Sequence, residues 1–446
     1  MHTLKNTVII GDGFAAAAMA IHLLRGGMAP ESLTIIGPRA PGRGQAYACV
    51  NPFFRLNIRE DLPIVFSEDP MHFARWAKDN INDPDAKTDA GYFYRRQDFG
   101  TYVAELFDNE PGSGRIERIR HRVIALQRSG PNWTITLDSG EHYSAQRIIL
   151  ATGNPPPTWP CAVVDEQSSR ALDARANCLI ENPWPGDYLS KISPTDRVIL
   201  LGGGLTALDA INALVEQGHR GHVCVISPRP YFPPAQALWE RRAEPDWPAD
   251  LTPARLIRFM RRYLPDAPTN STTWQNSWEE LRPKLNTIWQ SFSAGQRRKL
   301  IKRVGWIWSL YRFRASPQTI AAYERLKAAN QIEFAVGRAR KIVCDAFSVR
   351  VEMSTGVDVL GDRIVNCTGV ASDSLIAQLI ADQLATPDAL GQSAAIDHEF
   401  RLIGPNQAPW PNLWMIGPAT AGSLGDVVAA SAISKQAEQL SARILA

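Results

Sequence analysis

An α/β chain built on two copies of one strand–turn–helix unit is what the sequence predicts. Three observations predict it. Val8-Ile9-Ile10 runs into Gly11-Asp12-Gly13-Phe14-Ala15-Ala16 and then an alanine-rich stretch, Ala17 to Leu24. Arg197 to Leu201 runs into Gly202-Gly203-Gly204-Leu205-Thr206-Ala207 and then a helical stretch, Leu208 to Gln217. Two further apolar runs end alike, one in Ala151-Thr152-Gly153 and one in Cys367-Thr368-Gly369.

Strand, G-x-G-x-x-A turn and helix is the Rossmann-like, dinucleotide-binding arrangement. Gly11 allows the tight turn, Gly13 lets backbone approach a pyrophosphate, and Ala16 lets helix pack closely on strand. The helix N-terminus then offers free N–H groups and the positive end of its dipole to phosphate. Gly11, Gly13, Phe14, Ala15 and Ala16 are therefore cofactor-binding candidates. Gly202, Gly204, Leu205 and Thr206 are their counterparts in the second copy.

Leu33 to Ile36 reads as the second strand of the first unit. Such a strand ordinarily ends in an acid that bonds the adenosine ribose; here it ends Gly37-Pro38-Arg39. The matching strand of the second unit, His222 to Ile226, ends Ser227-Pro228-Arg229. An arginine there can pair with the 2′-phosphate of NADPH, so Arg229 is a candidate for that contact. The glycine loop Gly42 to Tyr47, with Gly44, and the segment Asn51 to Ile58, with Asn57, carry neither strand nor helix period and could line a cofactor ring. The small residues Ala151, Thr152 and Gly153, echoed at Gly369, let backbone pass close to a cofactor.

Between Arg120 and Leu150 the pattern is β, with a turn at Ser139-Gly140. Residues 231–330 read instead as helical. They hold seven of the thirteen tryptophans, with helix starts at Leu251-Thr252-Pro253, Ser293 to Gln296 and Ser316-Pro317. From 231 to 335 there are 17 Lys and Arg against 9 Asp and Glu, although the whole chain is only +3. That excess is either a solvated helix face or an attraction for an anionic substrate or NADPH. Near the end, Leu413 to Ile416 reads as a strand leaving through Gly417-Pro418. Ala421 to Asp426 then opens a last helix, Val427 to Leu445. The expected organisation is a discontinuous first domain (1–160 and 336–446) enclosing a second domain (161–335) with a helical insert at about 231–330.

The 446 residues, 45% hydrophobic and 21% charged, suit a globular protein of two or three domains. No apolar run reaches the roughly 18 residues of a membrane span, and Asp12 interrupts the N-terminal one, so a cytoplasmic protein without membrane or nucleic-acid partners is expected. None of the six cysteines forms C-x-x-C, and the eight histidines show no ligand spacing, which argues against a dithiol centre or a metal site.

On Gly11 to Ala16, Gly42 to Tyr47, Leu56-Asn57-Ile58, Ala151 to Gly153, Gly202 to Asp209, Tyr311 to Arg314, Pro387 to Gly391 and Ile416 to Pro418, the chain resembles the FAD/NAD(P)-binding family that includes bacterial FAD-dependent urate hydroxylase. More distantly, it resembles N-hydroxylating flavin monooxygenases. It departs at Gly37, where relatives usually carry an acid, and at Gly422 to Asp426, where many have a Trp-Glu pair. The resemblance implies FAD at the first turn, NADPH or NADH at the second, and a late strand–Gly–helix, with Gly417 and Asp426, closing over the flavin. It implies a monooxygenase taking a small-molecule substrate and O₂, with oxygen delivered through a flavin C4a-hydroperoxide. Urate, anionic and planar, would suit arginine recognition, and Arg55, Arg59, Arg312 and Arg314 lie on the motif segments. The alternatives are N-hydroxylation of an amine or amino acid, a flavin reductase without oxygenation, and a nucleotide-binding sensor without turnover.

Overall fold

The computed structural model describes residues 4–165, 177–240, 242–264, 273–345 and 348–446. Two parallel, Rossmann-like sheets organise it. In the first, Leu4–Ile10 lies between Leu33–Ile36 and His142–Leu150, parallel to both. Glu117–Ile119 and Pro409–Met415 extend the parallel set on either side, with Arg401–Ile403 antiparallel at the far edge. The antiparallel strands Val123–Ser129 and Asn132–Leu137 join through His142–Leu150. The second sheet is parallel throughout, in the order Leu179–Ile180, Arg363–Asn366, Val198–Leu201, Val223–Ser227, Ile332–Val336.

Burial explains why these strands read as continuous apolar runs. Val8, Ile9 and Ile10, and likewise Val198 to Leu201, are buried on both faces, as parallel strands are once helices cover them. The fingerprint helices begin earlier than the alanine pattern indicates, at Phe14–Arg25 and Leu205–Glu216. They start straight after the turn because Gly13 and Gly204 are extended N-caps.

The segment expected as one piece, 336–446, divides between the sheets. Arg363–Asn366 is a central strand of the second sheet, whereas Pro409–Met415 belongs to the first. A separate four-stranded sheet, Asp358–Gly361, Val349–Met353, Ala339–Cys344 and Ala162–Asp165, packs beside the second. The last helix also differs from expectation. A short helix, Ala421–Leu424, comes first, and the long one starts only at Ala430 and ends at Leu445. Gly425 separates them with φ of +101°, and a Cβ there would lie 2.7 Å from the Asn286 side-chain oxygen. Asp426 therefore sits in the connection.

The insert forms its own core from Trp274, Trp278, Leu281, Leu285 and Phe292. Its helices are Pro253–Tyr263, Trp274–Ser291 and Ala294–Arg312, followed by Pro317–Ala328. Thr252, Ser293 and Ser316 cap three of them through their side chains, and Ser293 with Gln296 completes a capping box. Among the described residues no helix is long and apolar enough to cross a membrane.

Trp133 tests the first core. It is fully buried, meets Trp410 edge to face, and donates its indole N–H to the Asn412 side-chain oxygen at 3.1 Å. Trp133→Ala should cost about 3–5 kcal/mol, read by denaturant unfolding.

Candidate functional site

The two glycine turns are built by one device. Gly11 has φ of +135°, and a Cβ on it would overlap the Ala151 carbonyl. Gly202 has φ of +115°, and a Cβ there would lie 2.5 Å from the Cys367 carbonyl oxygen. Each turn is thus wedged against the end of the neighbouring parallel strand, and the small residues of Ala151-Thr152-Gly153 and Cys367-Thr368-Gly369 follow directly. The two strand exits also meet, since the Ala371 N–H donates to the Pro156 carbonyl at 3.4 Å.

Around the first turn the structure gathers most of the expected residues. The Gly42 N–H donates to the Asp12 carbonyl at 3.0 Å, and Gly44 sits so close that a Cβ on it would lie 2.6 Å from the Gly13 Cα. A Cβ on Gly417 would lie 3.4 Å from the Ala15 Cβ, so the two face each other closely. Neither fingerprint helix has a side-chain cap or an acid in its first turn. The N–H groups of Phe14, Ala15 and Ala16, and of Leu205 and Thr206, are left to an external acceptor. A bare backbone cradle at an uncapped helix end fits a dinucleotide pyrophosphate. The ring of Phe14, by contrast, is buried against Tyr47 and Phe99. Asn57 is half-buried on the segment that runs between Arg55 and Arg59.

The glycine at position 37 has a physical reason. A Cβ there would lie 2.7 Å from the Cβ of Asp12, which is itself buried. Asp12 accepts from the Arg39 N–H at 2.9 Å and from its guanidinium at 3.0 and 3.2 Å. A carboxylate does stand at the end of this strand, but it comes from the glycine turn.

In the second unit Gly203 lies against the Ser227 hydroxyl, 3.0 Å from where its Cβ would be, and the Arg229 N–H donates to the same hydroxyl at 3.4 Å. The Arg229 guanidinium stacks 4.1 Å from the ring centre of Trp306, on the insert helix Ala294–Arg312. It has no carboxylate partner among the described residues, as a phosphate-reading arginine requires.

The four arginines expected to meet substrate are already engaged. Arg55 pairs with the buried Asp83 and donates to the Phe93 carbonyl at 3.2 Å. Arg59 grips Asp61 with two 3.0 Å bonds and stacks on Trp239. Arg312 pairs with Asp426, and Arg314 with Glu279 and Gln275. These partners are distant in sequence or lie on loops, so motif spacing did not expose them.

Asp426, Glu279, Arg282, Arg312 and Arg314 form one buried network. It holds three guanidinium groups and two carboxylates. Burial and the neighbouring Arg282 and Arg312 push Arg314 down to about 10 despite Glu279, and burial together with Arg282 lowers Arg312 as well. Burial works against the Asp426 carboxylate, but Arg312 and Arg282 outweigh it and hold its carboxyl below the ordinary range.

Sequence reasoning missed two features. One is Arg96, whose guanidinium donates to Asp209 at 2.9 Å and so ties the helix Arg96–Asn109 to the second fingerprint helix. Asn212, on that same helix, donates to the Phe53 carbonyl at 2.7 Å. The other is a cavity of about 480 Å³ between the insert and the C-terminal segment, walled by residues such as Trp278, Trp289, Trp308, Leu390 and Asp426. The apolar helix faces are visible in sequence, but the void between them depends on how three distant segments pack.

Residues 8–155 match the family described as FAD-NAD(P)-binding. No curated protein sequence matches the chain. Among solved structures, the ornithine N-hydroxylase of Kutzneria sp. 744, with reduced FAD, NADP⁺ and L-ornithine, aligns over 100% of this chain and 99% of its own, at 14% identity and TM-score 0.64. The L-lysine 6-monooxygenase of Pseudomonas syringae aligns over 99% of both chains at 16% identity and TM-score 0.63. The thioredoxin reductase of T. acidophilum aligns over 100% of both at 12% identity and TM-score 0.54. At these identities the likeness is one of fold.

Two outcomes test this geometry. Gly37→Glu should destabilise the chain by about 2 kcal/mol through overpacking on the Asp12 Cβ, and adding Asp12→Gly, which removes that Cβ, should recover part of that loss in thermal unfolding. Asp426→Asn should cost about 3 kcal/mol near neutral pH by leaving Arg312 buried without its carboxylate partner. Because the folded carboxyl is depressed, its contribution is present above the unfolded value of about 4 and lost as pH falls through the folded one. The two stability curves should therefore converge in acid, and a constant gap across pH would refute the assignment.

Proposed function

We propose that this protein is an FAD-dependent, NAD(P)H-consuming monooxygenase of small molecules. The observation that carries the reading is the pair of open glycine turns in one chain, each an uncapped helix end wedged on a parallel strand. FAD, when bound, would supply hydride acceptance from the nicotinamide and transfer of oxygen from O₂. The chain's own work is to hold, orient and shield. Gly11, Gly13 and Gly44 leave room for a pyrophosphate, Ala15 and Ala16 offer N–H groups, and Arg229 reads a 2′-phosphate. Arg96 and Asp209 keep the two units in register.

A dithiol reductase is the reading the cysteines disfavour. Five of the six are buried, and C-x-x-C is absent from the sequence. Burial pushes the Cys49 and Cys224 thiols up to about 11, which removes the thiolate such chemistry needs. Electrons arriving from a nicotinamide then have a flavin, and beyond it O₂ and an organic substrate, as their outlet. Urate is the substrate that the sequence resemblance implies. The carboxylate partners of Arg55, Arg59, Arg312 and Arg314 lend it no support, so substrate identity is tested openly.

The purified protein should copurify with or take up FAD, and NADPH should reduce it anaerobically. Arg229→Ala should raise KM for NADPH about tenfold and leave NADH unchanged. O₂ uptake is then measured with urate and with L-ornithine or L-lysine. Stoichiometric hydroxylated product with one of them establishes both reaction and substrate. Reduction of the flavin with O₂ uptake indifferent to every organic compound would sink the monooxygenase reading in favour of a reductase. Failure to bind FAD or to be reduced would leave only nucleotide binding.

A further inference from the structure

The large basic excess of the insert has a location. Arg258, Arg261, Arg262, Lys299 and Arg303 line one hollow of about 670 Å³, and no Asp or Glu lines it. All five are exposed, and none is ion-paired among the described residues. A solvated basic face normally intersperses acids, as the rest of this chain does. Five like charges around one depression lose free energy by mutual repulsion unless an anion offsets it.

The hollow adjoins a second one. Ile257, Arg261 and Leu300 line both it and the apolar cavity of about 480 Å³. Trp278, Val304, Trp308 and Phe313 also wall that cavity, as do Gly425 and Asp426 of the C-terminal segment. Asp426 brings no free charge, because Arg282 and Arg312 neutralise it. The same C-terminal segment runs back through Ala421 to Gly417, which touches Ala15 in the first glycine turn. The cavity thus shares part of its wall with the cationic hollow and part with the segment that leads to the first glycine turn.

We infer that this cavity binds an amphipathic organic acid, with its apolar body inside and its carboxylate or phosphate among the five cations. A cavity of this volume is within the range of small-molecule sites, and its polarity divides in the same way as such a ligand. In rank order, an apolar acid binds better than the neutral molecule of the same body, and that better than an apolar cation. This names a substrate class for the proposed monooxygenase and rests on that reading only where the ligand is the molecule oxidised. Binding itself stands independently of it.

Calorimetric titration of the FAD-loaded protein with decanoate, decanol and decyltrimethylammonium tests it. Decanoate should saturate one site, at least about tenfold tighter than the ammonium, with affinity falling as salt rises. Arg258→Glu, which lies in the hollow and not in the cavity wall, should weaken decanoate about tenfold and leave decanol unchanged, because only the head group meets that charge. Val304→Trp fills the cavity and should weaken both. Thermal unfolding and FAD content report whether each variant is folded. Equal affinity for the acid and the ammonium, or competition of decanoate with 2′,5′-ADP, would overturn the assignment, the latter by giving the cations to the dinucleotide. Binding to phosphatidylglycerol vesicles that Val304→Trp leaves intact, with no decanoate site, would also overturn it. Decanoate binding by a protein that NADPH cannot reduce would keep the site and reject the redox reading. Reduction by NADPH without decanoate binding would do the reverse.

Discussion

The close approach of a glycine turn to the end of the next parallel strand is the constraint on which the rest of the structure depends. It occurs twice. Gly11 can turn where it does only because Ala151 presents a carbonyl and no bulk, and Gly202 stands in the same relation to Cys367. Each approach requires positive φ and no Cβ, so the glycines and the small-residue strand ends must appear together. The register confirms the pairing, with Ile10 opposite Leu150 and Leu201 opposite Asn366. Once both turns are set, each helix N-terminus is fixed in direction, uncapped, at the C-terminal edge of its sheet. In open α/β sheets that edge is where ligands bind.

How much of this could be read in the sequence follows from the range of the interactions involved. The turns and the echoed Thr-Gly exits are local and were legible. So were the caps at Thr252, Ser293 and Ser316, because a cap is a contact across three residues. The sheet to which Arg363–Asn366 belongs was not legible. Parallel pairing leaves no local mark, and the strand's neighbour Val198–Leu201 is far away in sequence. The absent acid at Gly37 looked like a missing contact because its replacement lies in another element. Asp12 occupies the space that the side chain would need, and only the fold brings the two together. The arginines show the same limit from the other side. Their residue type pointed to anion recognition, while Asp83, Asp426 and Glu279 had already claimed them.

Charge is therefore handled in two distinct ways in this chain. Inside, guanidinium groups are matched to carboxylates at the cost of desolvation, and the network around Asp426 ties the insert helices to the segment after Gly425. Arg96 and Asp209 similarly tie the first unit to the second. Such pairs position elements far better than they bind a transient anion, because a ligand would have to displace a carboxylate already in place. On the surface of the insert Arg258, Arg261, Arg262, Lys299 and Arg303 make no ion pair among the described residues. There, and at the half-buried Arg229, guanidinium groups carry no carboxylate partner among the described residues.

The helix Ala294–Arg312 joins these regions. Trp306 carries the stacked Arg229 of the second unit, and Val304 and Trp308 wall the cavity. Arg297, near the helix start, donates to the Gly422 and Ser423 carbonyls of the C-terminal segment at 3.3 and 3.2 Å. A single helix thus contacts Arg229 beside the second glycine turn, the cavity, and the C-terminal segment that leads back to the first glycine turn. Under the proposed function those three places must be held at fixed separation, because misplacement by about an ångström costs orders of magnitude in rate. The insert's tryptophan core supplies that rigidity. Its size follows from this requirement, since a loop could reach all three places but could not hold them.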